Sequence, residues 1–152
     1  MKVLNEMEIT FKALSVNEGF ARVCVASFCV QLNPTLDEIT DIKTAVSEAV
    51  TNAVVHAYPN RSGFITVGAQ ILSNDEVVIE VKDSGVGISD FTKAREPFFT
   101  TRPSEERSGM GFTVMESFMD KLELSKNGSN GVKVTMYKKF GASRPSAKAA
   151  ND

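Results

Sequence analysis

The chain is poor in the residues that build metal and redox sites, with two cysteines and one histidine among 152 residues. A structural zinc site takes about four Cys or His ligands, and three are too few for one. Cys24 and Cys29 fall in one expected helix, at neither CxxC nor zinc spacing, and read as small buried hydrophobes. No apolar run approaches the ~18 residues of a membrane span. The opening MKVLNEMEIT carries charges where a signal peptide has its apolar core, so it does not read as one and a cytoplasmic protein is expected. Positive charge is not in excess: 17 Lys and Arg stand against 19 Asp and Glu, a net charge of −2. A broad basic footprint for nucleic acid is therefore absent, although a local patch stays open. The chain has no GxxxxGK[ST] and no GxSxG, which removes the Walker loop and the usual nucleophile elbow.

What is present is ordinary for a soluble globular protein, with 42% apolar and 24% charged residues. The length fits one domain, and a domain of this size buries roughly 68–70% of its unfolded surface without disulfides. Residues 1–140 are expected to form that domain. The remaining 141–152, GASRPSAKAAND, are small and polar and read as a disordered tail.

Met7, Ile9, Phe11 and Ala13 alternate with polar residues, the period of a half-buried strand. Ser15 and Glu18 have capping-box spacing, which predicts a helix running to about Leu32, before Pro34. Thr35 and Glu38 repeat that spacing. The second helix is expected to reach about Ala57, its apolar stripe running through Ile39, Ile42, Val46, Ala49, Val50 and Ala53. Tyr58 to Gly63 is a turn cluster. Alternation from Ile65 to Ile71 and from Val77 to Val81 predicts a hairpin about Ser73-Asn74-Asp75. Little periodicity follows from Asp83 to Ser108, with at most a short helix around Phe91 to Arg95. A helix is expected over Gly109 to Asp120, then a last hairpin of Lys121–Lys126 and Val132–Lys139. Strands that do not alternate strictly with helices point to α+β, with the helices on one face of a mixed, mostly antiparallel sheet.

Three clusters carry possible chemistry. Glu48 and Asn52 are i and i+4 on the second helix, opposite its apolar stripe. The pair also reads as a solvated face, but Ala49, Ala53 and Ala57 surround it with small side chains. A carboxylate and an amide there would serve as a proton acceptor and an oxygen ligand for Mg²⁺. Asp83-Ser84-Gly85-Val86-Gly87 leaves a strand directly, and its glycines permit close backbone approach. It is an ordinary turn, or one whose aspartate accepts a hydrogen bond from an exocyclic amine. Ser108-Gly109-Met110-Gly111 precedes a helix; it is a Gly-rich turn, or one whose free amides favour an anion. Between the two glycine clusters lie about twenty residues, beyond the ~12–15 of a structureless connector. Phe91, Phe98, Phe99, Arg95, Arg102 and Arg107 in that stretch suit a closing lid. His56, four past Asn52, reads as a helix-end hydrogen-bonding residue more readily than as a catalytic one.

In this order and spacing the three clusters resemble the N, G1 and G2 boxes of the GHKL nucleotide-binding superfamily (gyrase, Hsp90, histidine kinases, MutL). FARVCVASF at 20–28, EITDIKTAVSEAVTNAVVHAY at 38–58 and EPFFTTRPSEERSGMGFTVMESFMD at 96–120 are similar to the anti-sigma kinases of endospore-forming bacteria. The resemblance implies a two-layer α/β sandwich, the Bergerat fold, with ATP and Mg²⁺ held between helices and sheet. It implies that Glu48 is the general base, that Asn52 binds Mg²⁺ and that Asp83 reads the adenine amine, with Gly85 and Gly87 shaping the pocket. Thr100, Thr101, Arg107, Ser108, Gly109 and Gly111 would hold the phosphates, and Arg107 would also neutralise charge on the transferring group. It further implies a homodimer that sequesters a sporulation sigma factor of RNA polymerase and phosphorylates a serine of an anti-anti-sigma protein. Arg22 is the candidate partner contact. No direct contact with nucleic acid or membrane is expected. Ala57 departs from the glycine of many relatives, and there is no room for the transducer domain of larger ones. The alternatives are a stress-response anti-sigma kinase, a detached histidine-kinase ATPase domain, or a non-catalytic module gated by ATP.

Overall fold

The computed structural model describes residues 2–58, 62–86, 111–128 and 130–141. Five strands and three α-helices are placed: β1 (Val3–Lys12), α1 (Asn17–Cys29), α2 (Leu36–Asn52), β2 (Phe64–Leu72), β3 (Glu76–Asp83), α3 (Gly111–Phe118), β4 (Lys121–Lys126) and β5 (Val132–Lys139). The strands form one sheet in the order β1-β2-β3-β5-β4. All four pairings are antiparallel, so the mixed pairing expected from sequence is absent among the described residues. The expected helix around Phe91 to Arg95 and the tail beyond Gly141 lie outside them.

Alternation along each strand sends one row of side chains inward. Phe11 pairs with Ile65, Val67 with Val81, Ile79 with Met136, and Leu122 with Met136. All of these are buried. The helices cover that face: α1 contributes Ala21, Val25 and Cys29, α2 contributes Ile42, Ala45, Val46, Ala49 and Val50, and α3 contributes Met115. Burying each large aliphatic side chain contributes roughly 1.5–3 kcal/mol. The other face is polar. Thr10 and Thr66 share a 2.9 Å hydroxyl bond, and Glu8 and Glu80 meet Lys82 and Lys133 at 3.5 and 3.6 Å.

Helix α2 is central, packing against both α1 and α3. Its start forms the expected capping box: the Glu38 amide donates to Thr35 Oγ1 at 3.1 Å, and the Thr35 amide to Glu38 Oε1 at 2.8 Å. Buried Glu38 also accepts from the Gly141 amide at 2.8 Å, tying the end of β5 to this cap. The box expected at Ser15 and Glu18 does not form. Val16 is the N-cap residue, without a side-chain cap bond. The Glu18 carboxylate engages Arg22 one turn on instead, at 2.8 Å. Helix α1 tightens into a 3₁₀ turn over Val30–Leu32.

The α-helical ladder of α2 ends at Asn52, five residues short of the expected Ala57. Ala53–Ala57 form a π-helical turn instead. The i, i+4 relation of Glu48 and Asn52 therefore holds, while His56 leaves that row. Single π turns are rare and concentrate at functional sites.

Candidate nucleotide site

The last two turns of α2 present Glu48 and Asn52 away from the buried Ala49 and Val50. Both are half-buried, so they stand on no fully solvated face. Glu48 lines a groove of about 290 Å³ with Arg22, Thr40, Lys43, Thr44 and Ser47. Arg22 reaches it from α1, where its Nη1 donates to both carboxylate oxygens of Glu18 at 2.8 and 3.0 Å.

The aspartate turn sits at the end of β3. Asp83 is the last strand residue, opposite Ile65, and is 6% exposed. Its Oδ1 accepts from the Gly85 amide at 2.9 Å and the Val132 amide at 3.2 Å. Its Oδ2 accepts nothing among the described residues. Burial raises the Asp83 pKa above the ordinary 3.8, with the two amides pulling the other way. Such a carboxylate is oriented and only partly solvated, which suits it to receive a polarised N–H.

The π turn joins the two clusters. The Val86 amide donates to the Ala57 carbonyl at 2.9 Å. Gly85 lies so close to Ala57 that a Cβ would collide with its carbonyl, so this glycine is a steric requirement. The turn bearing Asp83 is thus seated on the end of the helix bearing Glu48 and Asn52. On its other side the Asn127 side chain donates to the Asp83 carbonyl at 2.8 Å.

Glu48, Asn52, Asp83 and Gly85 are thereby placed in adjoining elements. Gly111 opens α3. Gly87, Thr100, Thr101, Arg107, Ser108 and Gly109 lie outside the described residues. The sequence reading missed Tyr58, Ala57 and Asn127 as supports of the aspartate turn. Their contacts with it span 26 residues or more, and so leave no local pattern. Cys29 is buried and its thiol is pushed up to about 12, as an inert core residue would be; Cys24 is only half-buried. Among the described residues no cluster of three or more His, Cys, Asp or Glu side chains could hold a metal. No described helix is long and apolar enough to cross a membrane.

Residues 11–138 match the family described as histidine kinase-like ATPase domain. A relative from Clostridium acetobutylicum described as anti-sigma F factor is 55% identical over 136 residues, 90% of this chain and 94% of its own. A second, from Caldanaerobacter subterraneus, is 55% identical over 144 residues, 95% of this chain and all of its own. Among solved structures, the RsbU and RsbW domains from Mycobacterium tuberculosis superpose with a TM-score of 0.64 at 20% identity, over 90% of this chain and 32% of that one. The catalytic domain of the histidine kinase ThkA gives 0.56 at 19% identity, over 90% and 98%. These two likenesses show the fold. The sequence relatives, matching nearly end to end, show more: the chain belongs to the anti-sigma F factor family, within the ATP-binding histidine kinase-like ATPase domains.

Proposed function

We propose that the chain sequesters a sporulation sigma factor and uses Mg-ATP to phosphorylate a serine on an anti-anti-sigma protein, as a cytoplasmic homodimer. One observation carries the nucleotide part. The buried Asp83 carboxylate, with Oδ1 committed to two amides, belongs to a turn seated on the helix of Glu48 and Asn52. In this reading Asp83 Oδ2 accepts the adenine amine, with Gly85 and Gly87 shaping the pocket. Asn52 holds Mg²⁺, which when bound supplies charge neutralisation on the phosphate oxygens. Thr100, Thr101, Ser108, Gly109 and Gly111 hold the phosphates. Arg107 balances charge on the transferring group.

Glu48 acts on the substrate. It takes the proton of the serine hydroxyl as that oxygen bonds to the γ-phosphorus, while the bond from the γ-phosphorus to the β–γ bridging oxygen breaks and ADP leaves. The groove joining Arg22 and Glu48 supports this assignment, because it connects the partner contact to the base along one continuous surface. Its hydroxyls and the cation of Lys43 suit an extended polar segment.

The experiment is transfer from γ-labelled ATP to the purified anti-anti-sigma protein, followed by acid and alkali treatment of the product. An acid-stable, alkali-labile label supports phosphoserine. An acid-labile, alkali-stable label means transfer to nitrogen and a histidine kinase. No label despite ATP binding means a nucleotide-gated binder.

A further inference from the structure

Tyr58 is the first residue beyond the π turn, and it is buried. Its hydroxyl donates to the Phe64 carbonyl at 2.7 Å and accepts from the Ser84 amide at 2.8 Å. Its ring lies against Gly63, where a Cβ would run into it. One side chain thus ties three places together: the end of the helix carrying Glu48 and Asn52, the entry of β2, and the residue after Asp83. Ser84 stands between Asp83 and Gly85, so holding its amide fixes the backbone from which the Asp83 carboxylate projects.

We propose that Tyr58 is a positioning residue for recognition of the nucleotide base, its hydroxyl holding the Ser84 amide so that Asp83 Oδ2 faces an incoming exocyclic amine. The inference rests on the reading of Asp83 as the acceptor of that amine. In this reading Tyr58 acts on the base through the turn. Its effect is therefore on selectivity: guanine bears an oxo group where adenine bears the amine, and a fixed carboxylate repels it. A turn freed to tilt loses part of the attraction and part of the repulsion.

The test is Tyr58→Phe in the full chain, which keeps the ring against Gly63 and removes only the hydroxyl. Ser84 is exposed, so water can reach its amide, and thermal melting of the variant checks that the fold is retained. Binding of Mg-ATP and Mg-GTP is measured by calorimetry for wild type, Tyr58→Phe and Thr10→Ala. The last removes a hydroxyl bond on the polar face of the sheet and controls for general loss of stability. In Tyr58→Phe the preference for ATP over GTP is expected to narrow about 2- to 12-fold, the worth of one net hydrogen bond. Thr10→Ala keeps the wild-type preference. Equal weakening of both nucleotides in Tyr58→Phe, with the preference intact, overturns the proposal and leaves Asp83 untouched. Wild type with no preference for ATP overturns the reading of Asp83 and the proposal with it. A second measurement needs no variant: amide exchange at Ser84 is expected to be slow despite the residue's exposure, and fast exchange there overturns the proposal.

Discussion

Asp83→Asn separates the structural from the chemical use of one side chain. Both amides that bind Asp83 do so at Oδ1, at 2.9 and 3.2 Å. An asparagine keeps an acceptor oxygen there, so both bonds persist. It also removes a buried charge whose pKa is raised by desolvation. The sign of the pH effect follows. With the folded pKa above the unfolded one, the folded state binds more protons between the two values, and stability falls as pH rises through that window. Asparagine lacks this penalty, so the variant is expected to melt at or above the wild-type temperature at pH 7, with the carboxyl's contribution to the pH dependence gone. Base recognition moves the other way. The substitution replaces Oδ2 by an NH₂ donor facing another donor. A hydrogen bond to a charged group contributes about 1.5–3 kcal/mol, so ATP affinity is expected to fall about 10- to 150-fold. In wild type, ATP affinity should also fall as pH drops through the raised pKa of Asp83. Asp83→Ala behaves differently: it orphans the Gly85 and Val132 amides, at about 1–3 kcal/mol for each left unsatisfied, and loses stability as well. Calorimetric titration and thermal melting report both quantities on one sample. An Asp83→Asn variant that binds ATP like wild type would refute Asp83 as the adenine acceptor.

Further outcomes are expected. Thr35→Ala removes the formed capping box and should cost about 1 kcal/mol in denaturant titration, whereas Ser15→Ala, at the box that does not form, should change stability by less than about 0.5 kcal/mol. Gly85→Ala forces a Cβ into the Ala57 carbonyl and should weaken ATP binding more than tenfold, because the aspartate turn must lift off the π turn. The Arg22–Glu18 pair is a helix-surface ion pair, so Arg22→Ala should cost only about 0.3–0.5 kcal/mol of stability. A large loss of partner binding in Arg22→Ala, measured by gel filtration with ATP affinity unchanged, would mark that residue as a contact. Lys43→Glu, in the same groove, should weaken binding of the phosphoacceptor protein while leaving ATP affinity in place.

The parts of the fold visible in sequence were those fixed by local chemistry. Alternation marked β2 and β3 because each buries one face only, and Thr35 with Glu38 marked the start of α2 because the box closes within four residues. The first strand begins at Val3, earlier than its alternation, because Val3–Glu6 at the sheet edge are exposed on both sides and carry no pattern. The box expected at Ser15 does not form, and the Glu18 carboxylate that would close it is bonded to Arg22. The π turn was invisible because Val54, Val55, His56 and Ala57 satisfy an α or a π ladder equally in composition. At the candidate site, Glu48, Asn52 and Asp83 were singled out by motif spacing and family resemblance. Tyr58 and Asn127 were not, since what qualifies them is a distance in space to Ser84 and Asp83.

The central claim is that Glu48 directs the γ-phosphoryl group to a serine and not to water. Its most direct test is a single-turnover reaction with γ-labelled ATP, Mg²⁺ and the anti-anti-sigma protein, comparing wild type with Glu48→Gln and partitioning label between protein and free phosphate. Wild type should place the label on a partner serine with little free phosphate. Glu48→Gln should bind ATP as tightly and transfer about 10²–10⁴-fold more slowly, the usual worth of a general base. Rapid phosphate release by the isolated chain, or undiminished transfer by Glu48→Gln, would contradict it.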